Sequence, residues 1–278
     1  RGARGGWGRS PCGPRGARSG AGAERAEAAV AGGFRRLLSE AALRDTDLAA
    51  YRRHVAVVQA RILKAFHVSK VDTIGSFARG SAIRQTSDVD LLFTLRKAEA
   101  LWGGTLVSST TVLNRIRQDL CERFPFTALG RDGQAVVVEF ADSRYSVDVV
   151  PAVFHALVEK TPVYLIPDGS GNWMMTSPQI HKRFIQVADL RSGGKLKNVV
   201  RLLKYWTACR VTRLPLSSFH LELLLAASGI CQGAKSLARC VTEAFILLED
   251  RECRALQDPA RISRLTRCGV FVTMRCTI

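Results

Sequence analysis

The chain has 278 residues, 47% hydrophobic and 23% charged, ordinary proportions for a globular protein with a real core in one large domain or two small ones. No run of eighteen or more apolar residues occurs, which argues against a membrane span, and the Arg/Gly-rich start lacks the apolar stretch of a secretory signal, so a cytoplasmic protein is expected. The net charge of +17, from 41 Lys and Arg against 24 Asp and Glu, attracts polyanions such as nucleic acid or nucleotide phosphates.

Much of that charge sits at the ends. Residues 1–36 carry eight Arg against two Glu, and the stretch from Arg254 to Arg275 adds more. Solvated tails explain it as well as a nucleic-acid arm does, so charge alone selects no partner. The eight cysteines include no C-x-x-C pair, a spread that suits reduced thiols and gives no zinc framework.

Residues 1–22 are Gly, Arg, Ala and Ser with little apolar content and are expected to form a disordered tail. Apolar residues then recur at helical spacing over 24–43 and 48–66, with Asp45 or Thr46 as the cap of the second helix. A short strand is expected at 71–74, a turn and short helix from Gly75 to Gly80, and a strand over 88–95. Helix returns at 110–124, and strands at 135–140 and 145–150 are joined by a polar turn at 141–144. Residues 162–176 read as a hairpin around Asp168-Gly169-Ser170-Gly171-Asn172. Helices are expected at 178–191, 195–209, 217–231 and 235–250. The fold class is therefore α/β in the α+β sense: a small mixed sheet with helices before it and a helical lobe after it. The division is a tail at 1–22, a catalytic core at 23–176 and a helical C-terminal lobe at 177–278.

The segment GSFARGSAIRQTSDVDLLF, residues 75–93, carries the chemistry. Asp88 and Asp90 lie two apart on a strand, so both side chains leave the same face while Val89, Leu91 and Phe93 enter the core. Adjacent carboxylates repel, and their close approach calls for a cation. Mg²⁺ accepts one or two carboxylates and completes its shell with phosphates and water. In RYSVDVVPAV, Asp148 alternates with Val147 and Val149 on a strand expected beside the first. Three carboxylates on adjacent strands can hold two metal ions, Mg²⁺ with Mn²⁺ as the alternative, one activating an attacking hydroxyl and one steadying a leaving pyrophosphate. Asp148 would then act near the attacking oxygen. The Gly75-Ser76 step between strand and helix lets backbone N–H groups and a hydroxyl approach a triphosphate. Arg79 and Arg84 are near enough to help, or are solvated.

These segments resemble the polymerase-β-like nucleotidyltransferase superfamily, whose signature is Gly-Ser followed by a paired carboxylate on a strand. More narrowly, YLIPDGSGNWMMTSPQIH, GGKLKNVVRLLKYW and LPLSSFHLELLL resemble the bacterial cyclic GMP-AMP synthase/DncV-like nucleotidyltransferases over residues 45–250. The resemblance implies a metal-dependent transferase that joins NTPs into a cyclic oligonucleotide second messenger for antiphage signalling. Its partners would be NTP substrates and an effector protein that senses the product.

The resemblance also implies that Lys197 or Lys204 reaches the donor phosphates, that Ser217 or Ser218 contacts a phosphate at a helix N-terminus, and that Phe219 stacks on the donor base. The alternatives are a basic solvated face for the lysines and core packing for Phe219. His181, His220, Trp173 and Trp206 read as packing or capping residues. The resemblance further implies more helices beyond the last residue here, so an incomplete lobe or an altered end is expected. The alternative function is a template-free transferase acting on an RNA 3′ end, of the tRNA CCA-adding type, in which the +17 charge would serve RNA binding.

Overall fold

The computed structural model describes residues 18–142, 145–211 and 217–251. The remainder, including most of the expected tail at 1–22, all of RISRLTRCGVFVTMRCTI and the Leu-Pro-Leu before Ser217, lies outside the described residues.

Eight α-helices are described: α1 (Arg18–Ala41), α2 (Asp45–Ala65), α3 (Gly75–Arg79), α4 (Ser109–Arg123), α5 (Pro178–Arg191), α6 (Lys195–Ala208), α7 (Ser218–Ser228) and α8 (Leu237–Arg251). The strands are β1 (Val68–Thr73), β2 (Val89–Leu95), β3 (Leu101–Trp102), β4 (Thr105–Leu106), β5 (Ala128–Asp132), β6 (Ala135–Glu139), β7 (Ser146–Val158), β8 (Thr161–Pro167) and β9 (Trp173–Thr176). The first helix thus starts earlier than its apolar pattern suggested, and the last five residues of the expected tail, 18–22, are helical. The expected cap of α2 at Asp45 or Thr46 is also corrected. Asp47, three residues past Arg44, reaches back to accept the Arg44 N–H at 3.0 Å, half of a capping box that makes Arg44 the cap.

Seven strands form one mixed sheet in the order β1-β2-β7-β6-β5, with β8 and β9 continuing from β7. Every pairing is antiparallel except the central one, where β2 and β7 run parallel. β7 is longer than the 145–150 run anticipated. Its first half pairs with β2 and β6, and its second half turns through Glu159 and Lys160 into β8. The hairpin centred on Asp168 forms as anticipated: its carboxylate accepts the N–H groups of Ser170 and Asn172 at 2.8 and 2.9 Å, the Asx geometry that closes such a turn.

The two faces of the sheet bury different sets. Val89, Leu91, Phe93, Val147 and Val149 face α2 and α4, where Val58, Ile62, Leu113 and Ile116 complete the main core. Leu92, Val150 and Ala152 face the other way, into a smaller cluster with Tyr164 and Ile166. This strict alternation fixes the register and carries the polar residues at the strand starts to one face.

A third core lies among α5, α6, α7 and α8, with Phe34, Leu37 and Leu38 of α1 packed against it. The first helix therefore belongs by packing to the helical half. That half is assembled from both ends of the described chain, so the sequence boundary at residue 176 does not separate the two halves. Among the described residues, no helix is long and apolar enough to cross a membrane.

Candidate active site

Register places the central pair. Asp90 on β2 is the direct partner of Asp148 on β7 across the parallel ladder. Side chains opposite one another on neighbouring strands share a face, so the two carboxylates stand side by side. Asp88 ends the loop just before β2 and joins them on the wall of a cleft of about 300 Å³, within the size range of small-molecule sites.

The surroundings hold each carboxylate in place. The Ser146 N–H donates to Asp88 Oδ1 at 2.9 Å, and the Ser146 hydroxyl donates to Asp148 Oδ1 at 2.6 Å. One residue at the start of β7 thereby fixes two acids. Beneath the Ser87–Asp88 corner, Tyr51 donates to the Ser87 carbonyl and stacks on Tyr145 at 4.6 Å. Asp90 is controlled by Gly75. That residue has φ +64°, and a Cβ added to it would stand 1.7 Å from Asp90 Oδ2. Only glycine satisfies both the left-handed backbone and the close approach.

Burial pushes the Asp90 carboxyl up to about 6, with Asp88 adding to the rise and Arg79 opposing it. Burial likewise pushes Asp148 up to about 7, opposed by its Ser146 hydrogen bond and reinforced by Asp90 and Asp88. Crowded carboxylates that resist ionisation are the electrostatic form of a site built for an external cation. Among the described residues, no three acidic, His or Cys side chains close into a ready-made metal cage. The oxygen-only donor set nevertheless fits Mg²⁺, which keeps several waters and uses one or two carboxylates plus substrate phosphates rather than an all-protein cage.

The Gly75-Ser76 step opens α3 at the cleft wall, as the sequence implied. Arg79 also lines the cleft, with its side chain only 10% exposed. Arg84 does not line it and pairs instead with Asp47 at 3.0 Å. From the helical half come Ser218 and Phe219 at the start of α7, together with His181 of α5. Phe219 meets His181 edge to face at 5.0 Å, and the Arg79 guanidinium lies 5.0 Å over the Phe219 ring. Ser217 caps α7 by accepting the His220 N–H at 3.1 Å, which leaves Ser218 as the serine on the cleft.

The lysines are placed differently from the expectation. Lys197 lies beside Asp189, Nζ to Oδ2 3.4 Å, away from the cleft lining. Lys204 is buried, and its ammonium donates to Glu222 at 2.6 Å. That ammonium is committed to an internal carboxylate, because leaving Glu222 unpaired in the core would be costly.

Sequence reasoning missed Glu222 and the cleft position of His181. A signal for Glu222 exists. It is the lone acid within FHLELLLAA, and a charge inside a helix that is apolar on all sides must be buried against a cation. No spacing distinguishes His181 from a packing histidine.

The chain is similar to several known proteins. The model of the Second Messenger Oligonucleotide or Dinucleotide Synthetase domain matches residues 29–188, more than half of the 278. A probable cyclic nucleotide synthase of Bacillus cereus (strain VD146) is 24% identical over 186 residues, covering 57% of this chain and 55% of that protein. The cyclic AMP-AMP-AMP synthase of Escherichia coli (strain MS 115-1) is 28% identical over 170 residues, covering 58% and 50%. The chain thus spans about half the length of the curated relatives it matches. In fold, it resembles the CD-NTase CdnG of Bradyrhizobium diazoefficiens, solved in complex with GTP, with TM-score 0.62 and 14% identity over 81% of this chain and 79% of that one. On the family match, supported by the carboxylates and the Gly-Ser step, the chain belongs to the Second Messenger Oligonucleotide or Dinucleotide Synthetase domain family.

Proposed function

We propose that the protein is a metal-dependent nucleotidyltransferase that joins NTPs into a cyclic oligonucleotide second messenger, releasing pyrophosphate at each bond, in antiphage signalling. The observation that carries this reading is the register pair Asp90–Asp148, with Asp88 on the same cleft wall. Two relatives named as cyclic nucleotide synthases support the product class, and the fold neighbour in complex with GTP supports the substrate class.

Asp88, Asp90 and Asp148 would hold Mg²⁺, or Mn²⁺ in its place; bound there, the metal supplies charge for the phosphates and lowers the pKa of the attacking hydroxyl. The chain's own residues do the rest. Gly75 and Ser76 bring backbone N–H groups and a hydroxyl to the triphosphate. Ser218, at the N-terminus of α7, offers a second hydroxyl where the helix dipole favours an anion. Phe219 supports a nucleobase, a stack worth about 1–3 kcal/mol. Asp148 lies at the attacking side and receives the hydroxyl proton. The hydroxyl oxygen then bonds to the α-phosphorus, and the bond from that phosphorus to the pyrophosphate oxygen breaks. Each further bond forms in the same way, and the last one, made within the linear product, closes the ring.

The test supplies the four NTPs with Mg²⁺, with and without tRNA, and follows pyrophosphate release and the fate of an α-phosphate label. Label in a small product without RNA supports the proposal. Label transferred only to tRNA replaces it with the polymer-end transferase.

A further inference from the structure

The catalytic sheet and the helical half share a buried cluster of charges. Glu222 of α7 is 0% exposed and sits between two cations from different halves. Arg79 of α3 donates through Nε to Oε2 at 2.5 Å, with Nη2 3.4 Å from Oε1. Lys204 of α6 and the Ser81 hydroxyl both donate to Oε1, at 2.6 and 2.7 Å. Lys204 also donates to the Ser81 carbonyl at 3.3 Å, and Arg201 donates to the Gly80 carbonyl at 2.7 Å. Residues 79–81 are thereby fastened to α6 and α7. Burial alone would raise the Glu222 carboxyl, yet Lys204 and Arg79 together hold it below the usual carboxylate range.

The two cations are not equivalent. Lys204 is enclosed, whereas Arg79 reaches the cleft that holds Asp88, Asp90, Gly75 and Phe219. Glu222 engages the Nε and Nη2 edge of the guanidinium, and Arg79 itself lines the cleft. A buried, bidentate anchor fixes both position and orientation, which an arginine free in solvent would lack.

We propose that Glu222 is a positioning residue: it aims Arg79 at the triphosphate of the bound nucleotide, with Lys204 as its internal counter-charge. This rests on the functional reading above and deepens it, because it assigns the cleft's phosphate-facing cation to Arg79. The anchored guanidinium also lies over the Phe219 ring, while Phe219 keeps its own place through His181, so the anchor bears on the phosphates and not on the base.

The experiment measures the affinity of the full chain for a non-hydrolysable ATP analogue with Mg²⁺ and for AMP. It uses wild type, Glu222→Asp, Glu222→Gln, Arg79→Lys and the Arg79→Lys/Glu222→Asp double variant, each checked by thermal melt. Glu222→Asp keeps the charge balance and retracts the carboxylate, so it remains informative if Glu222→Gln fails to fold. We expect each single variant to lose about tenfold or more for the triphosphate. AMP affinity should change far less, and the double variant should be no worse than the weaker single one. Glu222→Asp with wild-type triphosphate affinity overturns the proposal, as do equal losses for both ligands or losses that multiply in the double variant. A wild type that binds neither nucleotide overturns the functional reading, and this inference with it.

Discussion

Replacing Gly75 with alanine perturbs Asp90, one of the three proposed catalytic acids, through one added carbon. The new Cβ would stand 1.7 Å from Asp90 Oδ2 and 2.6 Å from its Cγ, where real contacts stay beyond 3.0 Å. The carboxylate must therefore swing away from α3, and it can do so only by leaving its place beside Asp148. A displacement of this size at a reacting centre costs on the order of 10²-fold in rate. The φ of +64° adds left-handed strain of about 1–2 kcal/mol, which lowers the melting temperature by about 2–8 °C in a protein of this size. Gly80→Ala is the control. Its φ is +72°, but the nearest atom to its added Cβ is Lys197 Nζ at 3.9 Å, so it carries the strain without the clash. The assay is pyrophosphate release at saturating NTP beside thermal melts of both variants. Equal destabilisation with turnover lost only in Gly75→Ala is expected. Turnover in Gly75→Ala within about threefold of wild type, or an equal loss in both variants, would refute the assignment of Gly75 as the residue that seats Asp90.

Other predictions follow from the same geometry. Asp88→Ala, Asp90→Ala and Asp148→Ala should each lower turnover by on the order of a thousandfold or more while the protein stays folded, read by steady-state kinetics and circular dichroism. The raised Asp148 pKa makes the metal-free protein pay for ionisation. As pH climbs from the ordinary 3.8 through about 7, the unfolded chain releases this proton first, so the group's cost appears over that window and is complete above it. Relative to Asp148→Asn, wild type without metal should therefore lose on the order of 4 kcal/mol between pH 4 and about pH 8 by denaturant melts; a constant difference would contradict this. Mg²⁺ with nucleotide should raise the melting temperature of wild type at pH 8, and much less at pH 5, because the ligand binds only the ionised folded state. Ser217→Ala removes the α7 cap and should cost about 1 kcal/mol in stability.

The sequence carried the acids because strand geometry is short-range. A period of two puts Asp88 and Asp90 on one face and Val89 and Leu91 in the core, and no distant residue is needed to infer it. The same logic found the Asp168 hairpin and the boundaries of α5 and α6. The strand β5, Ala-Leu-Gly-Arg-Asp, escapes the pattern because it is largely exposed, with no alternating apolar face, and pairs with β6 on one side only. The β3–β4 hairpin, two residues a side, is too short for any periodicity. What α1 packs on is set by tertiary contacts with α6 and α8, which no local pattern encodes. The Arg79–Glu222 pair joins residues 143 apart, so the cue of a lone acid in an apolar helix indicates that a partner exists without naming it. Lys204 illustrates the limit of resemblance: the sequence places it on a basic helix, but its ammonium points into a buried carboxylate.

The most direct test of the central claim is the identity of the product. Purified protein is incubated with labelled ATP, GTP, CTP and UTP and Mg²⁺, treated with phosphatase and resolved by mass, beside Asp90→Ala. A phosphatase-resistant product with the mass of a cyclic oligonucleotide, absent from Asp90→Ala, is the predicted result. A resistant product that persists in Asp90→Ala, or label found only in phosphatase-sensitive linear species, would contradict it.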